Sequence, residues 1–222
     1  MKIAKLLLAS LFLFDLQGAI AQENDNKPAH VTSRDARRKL VFGFKAGFNF
    51  SNVYDQGTKN FVADGKTGGV GGAFLCIPFG DFIGFQPEIL LNQKGFKGVG
   101  TYNGEVYSLD RTTTHLDIPL QLQLKPFSWM SMVAGVQYSY LMKQRDEFTL
   151  GPNYEAVTED FNNDNIRKNL LGIIMGGDLN FWHVVLSGRA GWDVLANQGD
   201  GNSTTPRYKN LWFQATIGYR VY

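Results

Sequence analysis

Residues 41–52 read VFGFKAGFNFSN. Phe42, Phe44, Ala46, Phe48 and Phe50 share one parity; Gly43, Lys45, Gly47, Asn49 and Ser51 share the other. A period of two is that of a β-strand, whose successive side chains point to opposite sides. One face is aromatic and the other only small or polar. A soluble barrel turns its large apolar residues inward, whereas a membrane barrel turns them to lipid and keeps a polar interior. The stretch therefore predicts a transmembrane strand, provided the same inversion recurs along the chain.

Working outward toward the start, Lys2 and Lys5 precede an apolar run, Leu6 to Phe14, and Ala19-Ile20-Ala21 is a small-x-small cleavage site before Gln22. Residues 1–21 read as a secretory signal, too short to span a bilayer as a helix, which needs about 20 apolar residues. Residues 22–39 are polar, end in the basic cluster Arg34, Arg37, Arg38 and Lys39, and lack apolar periodicity. They predict a mobile periplasmic tail ahead of a barrel domain over 40–222. The 222-residue chain has one cysteine, Cys76, so no intramolecular disulfide can form. Past residue 21 there are 20 basic and 19 acidic residues, which gives no case for nucleic acid or another polyanion. No apolar run reaches the length of a membrane helix, but alternating strands need none. Gly at 25 of 222 residues exceeds the usual share of about 7%, and aromatics reach 14%, as suits a crowded lumen with interfacial rings.

Working forward, seven more strands follow: Val70–Pro78, Phe82–Lys94, Thr113–Lys125, Ser131–Lys143, Asn169–Phe181, His183–Ala196 and Lys209–Tyr222. The third sets Ile83, Phe85, Ile89 and Leu91 against Gln86, Glu88 and Asn92. The fourth sets Leu116, Ile118, Leu120, Leu122 and Leu124 against Asp117, Gln121 and Gln123. The second and sixth alternate least cleanly. Connections near residues 79–81, 126–130 and 182 are short, whereas 53–69, 95–112, 144–168 and 197–208 are long. Short and long alternate, as periplasmic turns and outside loops do in outer-membrane barrels. A lipocalin-like soluble barrel would not confine its long loops to one end. The expectation is an all-β, eight-stranded, antiparallel up-and-down transmembrane barrel, with both termini periplasmic.

Eight strands leave a lumen that side chains fill. It would hold Lys45, Glu88, Asp117, Asp178, Arg189, Asp193 and Arg220. Charges taken out of water need partners, so internal salt bridges are expected, with Glu88 and Asp117 serving Arg189 and Arg220. The result would be a plugged cylinder rather than an open pore.

The segments GFKAGFNFSN (43–52), FQPEILLNQKG (85–95), HLDIPLQLQLK (115–125), GVQYSYLM (135–142) and the terminal IGYRVY are similar to the PorT-like eight-stranded outer-membrane β-barrel family common in Bacteroidetes. The resemblance runs over nearly the whole of residues 43–222. It implies an outer-membrane location in a Gram-negative envelope and insertion by the barrel-assembly machinery, which reads an outward aromatic at the end of the last strand. Here Val221 holds the outward terminal place and Tyr222 follows it. One branch of that family is linked to protein secretion and gliding.

Catalytic chemistry has little to stand on. A hydrolase needs a nucleophile beside a base. The bases are His30 in the tail, His115 near the loop end of the fourth strand and His183 at a periplasmic turn; Ser51 could meet His115. Asp160, Asn162 and Asp164 match the opening of a calcium loop, but Asn165 stands where its glycine belongs and Leu171 where its glutamate belongs. At most a loose surface cation site remains; no cofactor and no catalytic residue is expected. The reading is a monomeric, non-catalytic outer-membrane barrel with lipid as its principal partner and a structural or surface-interaction role. The alternatives are an accessory part of a secretion or envelope machine, a lipid-modifying enzyme, and a small-solute channel.

Overall fold

In a computed structural model, the structure describes residues 38–54, 62–102, 105–150, 153–157, 167–197 and 208–221. The signal and most of the tail, His30, the Asp160–Asn162–Asp164 loop and Tyr222 lie outside the described residues. Among the described residues nine strands run in order: β1 (Val41–Tyr54), β2 (Val62–Pro78), β3 (Ile83–Tyr102), β4 (Glu105–Leu124), β5 (Met130–Leu150), β6 (Asn153–Val157), β7 (Asn169–Phe181), β8 (Val184–Asp193) and β9 (Lys209–Val221). Every pairing is antiparallel, and the β4–β5 and β1–β9 pairings close a ring of eight: β4, β3, β2, β1, β9, β8, β7, β5. Closure leaves no free edge among the eight, as a strand structure in hydrocarbon requires.

The inversion read from residues 41–52 is present in β1. Phe42, Phe44, Phe48 and Phe50 point outward, Phe48 being 71% exposed, while Lys45, Asn49 and Ser51 are buried in the lumen. The same split runs through Ile89 and Leu91 against Glu88 and Asn92, and through Leu120, Leu122 and Leu124 against Gln121 and Gln123. The two strands of unclear alternation resolve the same way. Val70 and Phe74 of β2, and Leu170, Ile174 and Asp178 of β7, point inward.

The strand limits differ from expectation at the long-loop end. β3 and β4 do not stop at Lys94 and Thr113; they continue paired to Tyr102 opposite Glu105. β2 starts at Val62 instead of Val70, and β5 runs to Leu150 and returns as β6, a ninth strand outside the ring. Three of the four long connections are thus partly sheet. Backbone pairing does not end at the membrane surface, and Thr-, Tyr- and Val-containing stretches such as TYNGEVYSLDRTT favour extended chain. β3, β4 and β5 have 20, 20 and 21 residues and β8 only 10, so one wall of the barrel stands well above the other. The opposite end has tight turns, and Trp182, at φ 51°, makes the β7–β8 turn and is 88% exposed.

Candidate functional site

The lumen is the one place where the ring converges chemically distinct side chains, and they sort into three levels. Nearest the tight turns is an ion cluster. Lys45 on β1 pairs with Glu88 on β3, both almost fully buried. Arg189 on β8 sets Nη2 2.8 Å from Asp178 Oδ1 on neighbouring β7 and 3.6 Å from Glu88 Oε1. Its Nε donates to Gln121 Oε1 at 3.0 Å, and Nη1 donates to the Gly177 and Gly188 carbonyls at 2.9 and 3.0 Å. Gly176, paired with Arg189 across β7 and β8, makes room for this: a Cβ there would lie 2.8 Å from Arg189 Cδ. Gln86 Nε2 donates to Glu88 Oε1, and Gln123 Nε2 donates to Gln86 Oε1, each at 2.9 Å. Charged hydrogen bonds are the strong ones, and a buried charge is tolerated only with such partners.

Above the cluster lies a polar chamber. Lys94 Nζ is 3.4 Å from Asp117 Oδ2 and 3.9 Å from the centroid of Trp212, a cation held over an aromatic face. Asn92 Nδ2 donates to Asp117 Oδ2 at 2.8 Å, and Asp193 Oδ2 accepts from the Asn210 side chain at 2.5 Å. Trp212 is fully buried because Gly191 faces it; a Cβ at Gly191 would sit 2.4 Å from the indole. His115 is buried here, beside a β-bulge between Thr114 and His115, and its Nδ1 meets no hydrogen-bond partner. A bulge re-aims the side chains next to it.

Toward the long-loop end lies Arg111. It makes a two-pronged pair with Asp146 on neighbouring β5, at 2.8 and 2.5 Å, and donates from Nη1 to the Tyr208 hydroxyl at 3.2 Å. Tyr208 packs edge-on to Phe96 at 5.0 Å in an apolar cluster with Val53.

Of the residues predicted for the interior, Lys45, Glu88, Asp178 and Arg189 come together. Asp117 is buried with Lys94 rather than with an arginine, and Asp193 with Asn210. Arg220 departs from expectation. It lies one residue from the end of β9, is only half-buried at the tight-turn rim, and donates to the Trp182 carbonyl. Ser51 does not serve His115: its hydroxyl donates to the Gly95 carbonyl at 2.9 Å and accepts from the Gly95 amide at 2.7 Å. His183 is exposed, stacked on Tyr219 at 5.3 Å. Lys94, Arg111 and Trp212 are lumen residues not among those predicted from the sequence.

A family model described as an outer membrane protein beta-barrel domain matches residues 20–192. No curated protein matches the chain. Among solved structures, Ail of Yersinia pestis, crystallised with the heparin analogue sucrose octasulfate, is similar at 12% identity and TM-score 0.49, covering 82% of this chain and 99% of that one. OprG of Pseudomonas aeruginosa is similar at 12% identity and TM-score 0.48, covering 83% and 97%. Neisserial surface protein A is similar at 10% and 0.45, covering 81% and 97%. Likenesses this distant say nothing about ligand or activity. The family match, with strands that turn their aromatics outward, supports a place in the bacterial outer membrane: the chain belongs to the outer membrane protein beta-barrel domain family.

Proposed function

We propose that the chain is a non-catalytic outer-membrane protein with a structural and surface-interaction role, secreted by the signal over residues 1–21. Its tight turns, tail and C-terminus face the periplasm, and its tall β2–β6 wall faces outward. The observation that carries the reading is the pairing of an apolar outer face with a lumen spanned by ion pairs. Such a cylinder is held closed, and what it offers to partners is its loops and lipid face. The lipid-modifying alternative loses ground because the Ser51 hydroxyl is engaged with Gly95. The fold by itself supplies no partner.

The finer reading is a PorT-like accessory role in secretion or gliding. It rests on the segments at 43–52, 85–95, 115–125 and 135–142, which fall on β1, β3, β4 and β5. Three experiments test these readings. Epitopes placed within 158–166 and within 22–39 should be reached on intact cells at the first position only, and the membrane-extracted chain should change gel mobility on heating. The reverse labelling, or a chain soluble without detergent, sinks the proposal. A deletion strain with normal secretion and surface motility removes the PorT-like role.

A further inference from the structure

Pairing fixes the height of each outward side chain on β3, β4 and β5. Leu91, Leu116 and Tyr140 form the last apolar row. Toward the long loops come Gln93, Thr114 and Lys143, then Gly95, Thr112 and Arg145, then Lys97, Asp110 and Glu147. A bulge on β5 sets this up. The register skips Met142, so Tyr140 and Met142 face out below it, and Lys143 and Arg145 face out above it.

Charge sorts by row. The two rows beside the apolar face hold Lys143 and Arg145 and no anion; Asp110 and Glu147 stand only in the third. Lys66 of β2 brings another cation to the second row. Its Nζ donates to Thr112 Oγ1 at 2.7 Å, and its stem passes Gly95, where a Cβ would lie 3.2 Å from Lys66 Cδ. On the far side of the ring, Lys209 stands one outward place beyond Leu211 of β9, its Nζ 5.9 Å from the Tyr54 ring centroid. Inside the wall, polarity reverses at the third row: Phe96, next to Lys97, is buried with Val53 and Tyr208. Beyond the collar the wall is thus apolar within and charged without, as protein in water is, which puts the bilayer surface at the cations.

We infer that this collar, centred on Lys66, Lys143 and Arg145, seats the phosphates of glycolipids in the outer leaflet. A leaflet presents hydrocarbon, then phosphate, then water, and basic side chains just outside the hydrocarbon are drawn to the anionic level. The rows of the wall follow that order. An acidic protein approaching from outside would meet Asp110 and Glu147 first, so the charge order favours lipid over such a partner. Arg145 holds Glu147 above it at 2.9 Å and is 58% exposed. With five donors, its guanidinium meets a phosphate below while keeping that pair.

The choice of leaflet rests on the outward placement of the tall wall proposed above; the phosphate seat does not. The full chain, purified from outer membranes in detergent and checked for heat-modifiable mobility, is immobilised and offered radiolabelled phosphorylated lipid A, or the same lipid with its phosphates removed. The wild type should retain the phosphorylated form about tenfold better. Lys143→Gln with Arg145→Gln should remove most of that preference, and Lys97→Gln, in the anionic row, should leave it nearly unchanged. Equal retention of the two lipids overturns the inference, as does a folded double variant that keeps the preference. Full competition by inorganic phosphate at equal concentration also overturns it, since the seat would then be one for free anions. If the double variant does not fold, Lys143→Gln alone decides: a reduced preference supports the inference and an undiminished one overturns it. Micelles have no sides, so a missing preference is a failure of the seat, whereas reversed epitope labelling is a failure of the orientation and of the leaflet assigned from it.

Discussion

The two faces of a single strand of this barrel meet different solvents. Along β1, Phe44, Ala46 and Phe48 look outward, and between them Lys45 and Gly47 look into the lumen. On the outer face stability comes from the absence of anything polar, and shape matters little because lipid fills any contour. On the inner face it comes from complete pairing in a confined space, and shape matters a great deal. Moving a substitution by one residue should therefore change not only its cost but its cause. The lumen cost can be undone by a second substitution; the outer cost depends on depth.

The largest effect is expected at Glu88. Glu88→Leu leaves Lys45 buried with no other ion pair among the described residues, and should destabilise the barrel by about 3–5 kcal/mol in denaturant titration. Adding Lys45→Met should recover most of that, since Arg189 retains Asp178. A double variant as unstable as the single one would mean that the loss is of packing rather than of charge. One residue away from Lys45, Ala46→Arg places a cation in lipid at the middle of the apolar run of β1 and should cost about 2–4 kcal/mol. The same change at Phe42, near the tight-turn end, should cost about 0–1 kcal/mol for the charge itself. Equal penalties at the two depths would argue that this face does not meet a bilayer.

How far the sequence reveals these faces depends on whether water lies on one side or both. Within the bilayer the contrast between adjacent residues is at its greatest, so β1, β3, β4 and β9 can be read by eye, and the ring follows from their number and turns. β2 and β7 are harder because Gly71, Gly72, Gly176 and Gly177 carry no hydropathy to assign. Beyond Lys94 the sign of the alternation changes, with Phe96 buried and Lys97 exposed, and the paired extension through 95–112 reads as a loop. Arg111 is hidden within that stretch. Lys94 is legible: continuing the parity of Glu88 and Asn92 by two residues points it inward, but it stands at the expected strand end, where facing carries little weight. Trp212 is hidden differently. Its neighbours Leu211 and Phe213 both belong to the lipid side, so parity sends it inward, against the expectation that aromatics of such a barrel face lipid. The sequence matches Glu88 to Arg189 by charge alone; that Asp117 meets Lys94 rather than an arginine depends on which residues share a level of the lumen.

A lumen substitution that adds only volume sharpens the comparison further. Gly191→Ala puts a methyl group 2.4 Å from the Trp212 ring, which must shift along with the Lys94 ammonium above it. Overpacking of this kind costs about 1–3 kcal/mol, and the Trp212 contribution to intrinsic fluorescence should change in wavelength. Gly71→Ala on the outer side meets only ordinary contacts, the nearest at 3.5 Å, and should be close to neutral. If the two alanines behave alike, lumen crowding is not what fixes glycine at these positions.

The smallest effect belongs to neither face. Arg38 holds Asp81 in a two-pronged pair at 2.7 and 2.8 Å at the tight-turn rim, yet Arg38 is 70% exposed there. Water and salt screen such a pair, so Arg38→Ala should cost no more than about 1 kcal/mol, falling further in high salt. The geometry is as good as that of Arg111 with Asp146 in the mouth, where the arginine side chain is 4% exposed. Arg111→Ala would leave the mostly buried Asp146 carboxylate only the Gln144 amide, and should cost more, with less dependence on salt. Two pairs of matching shape and unequal cost would isolate burial as the deciding variable. Equal costs would mean that the mouth of the lumen is open to bulk water.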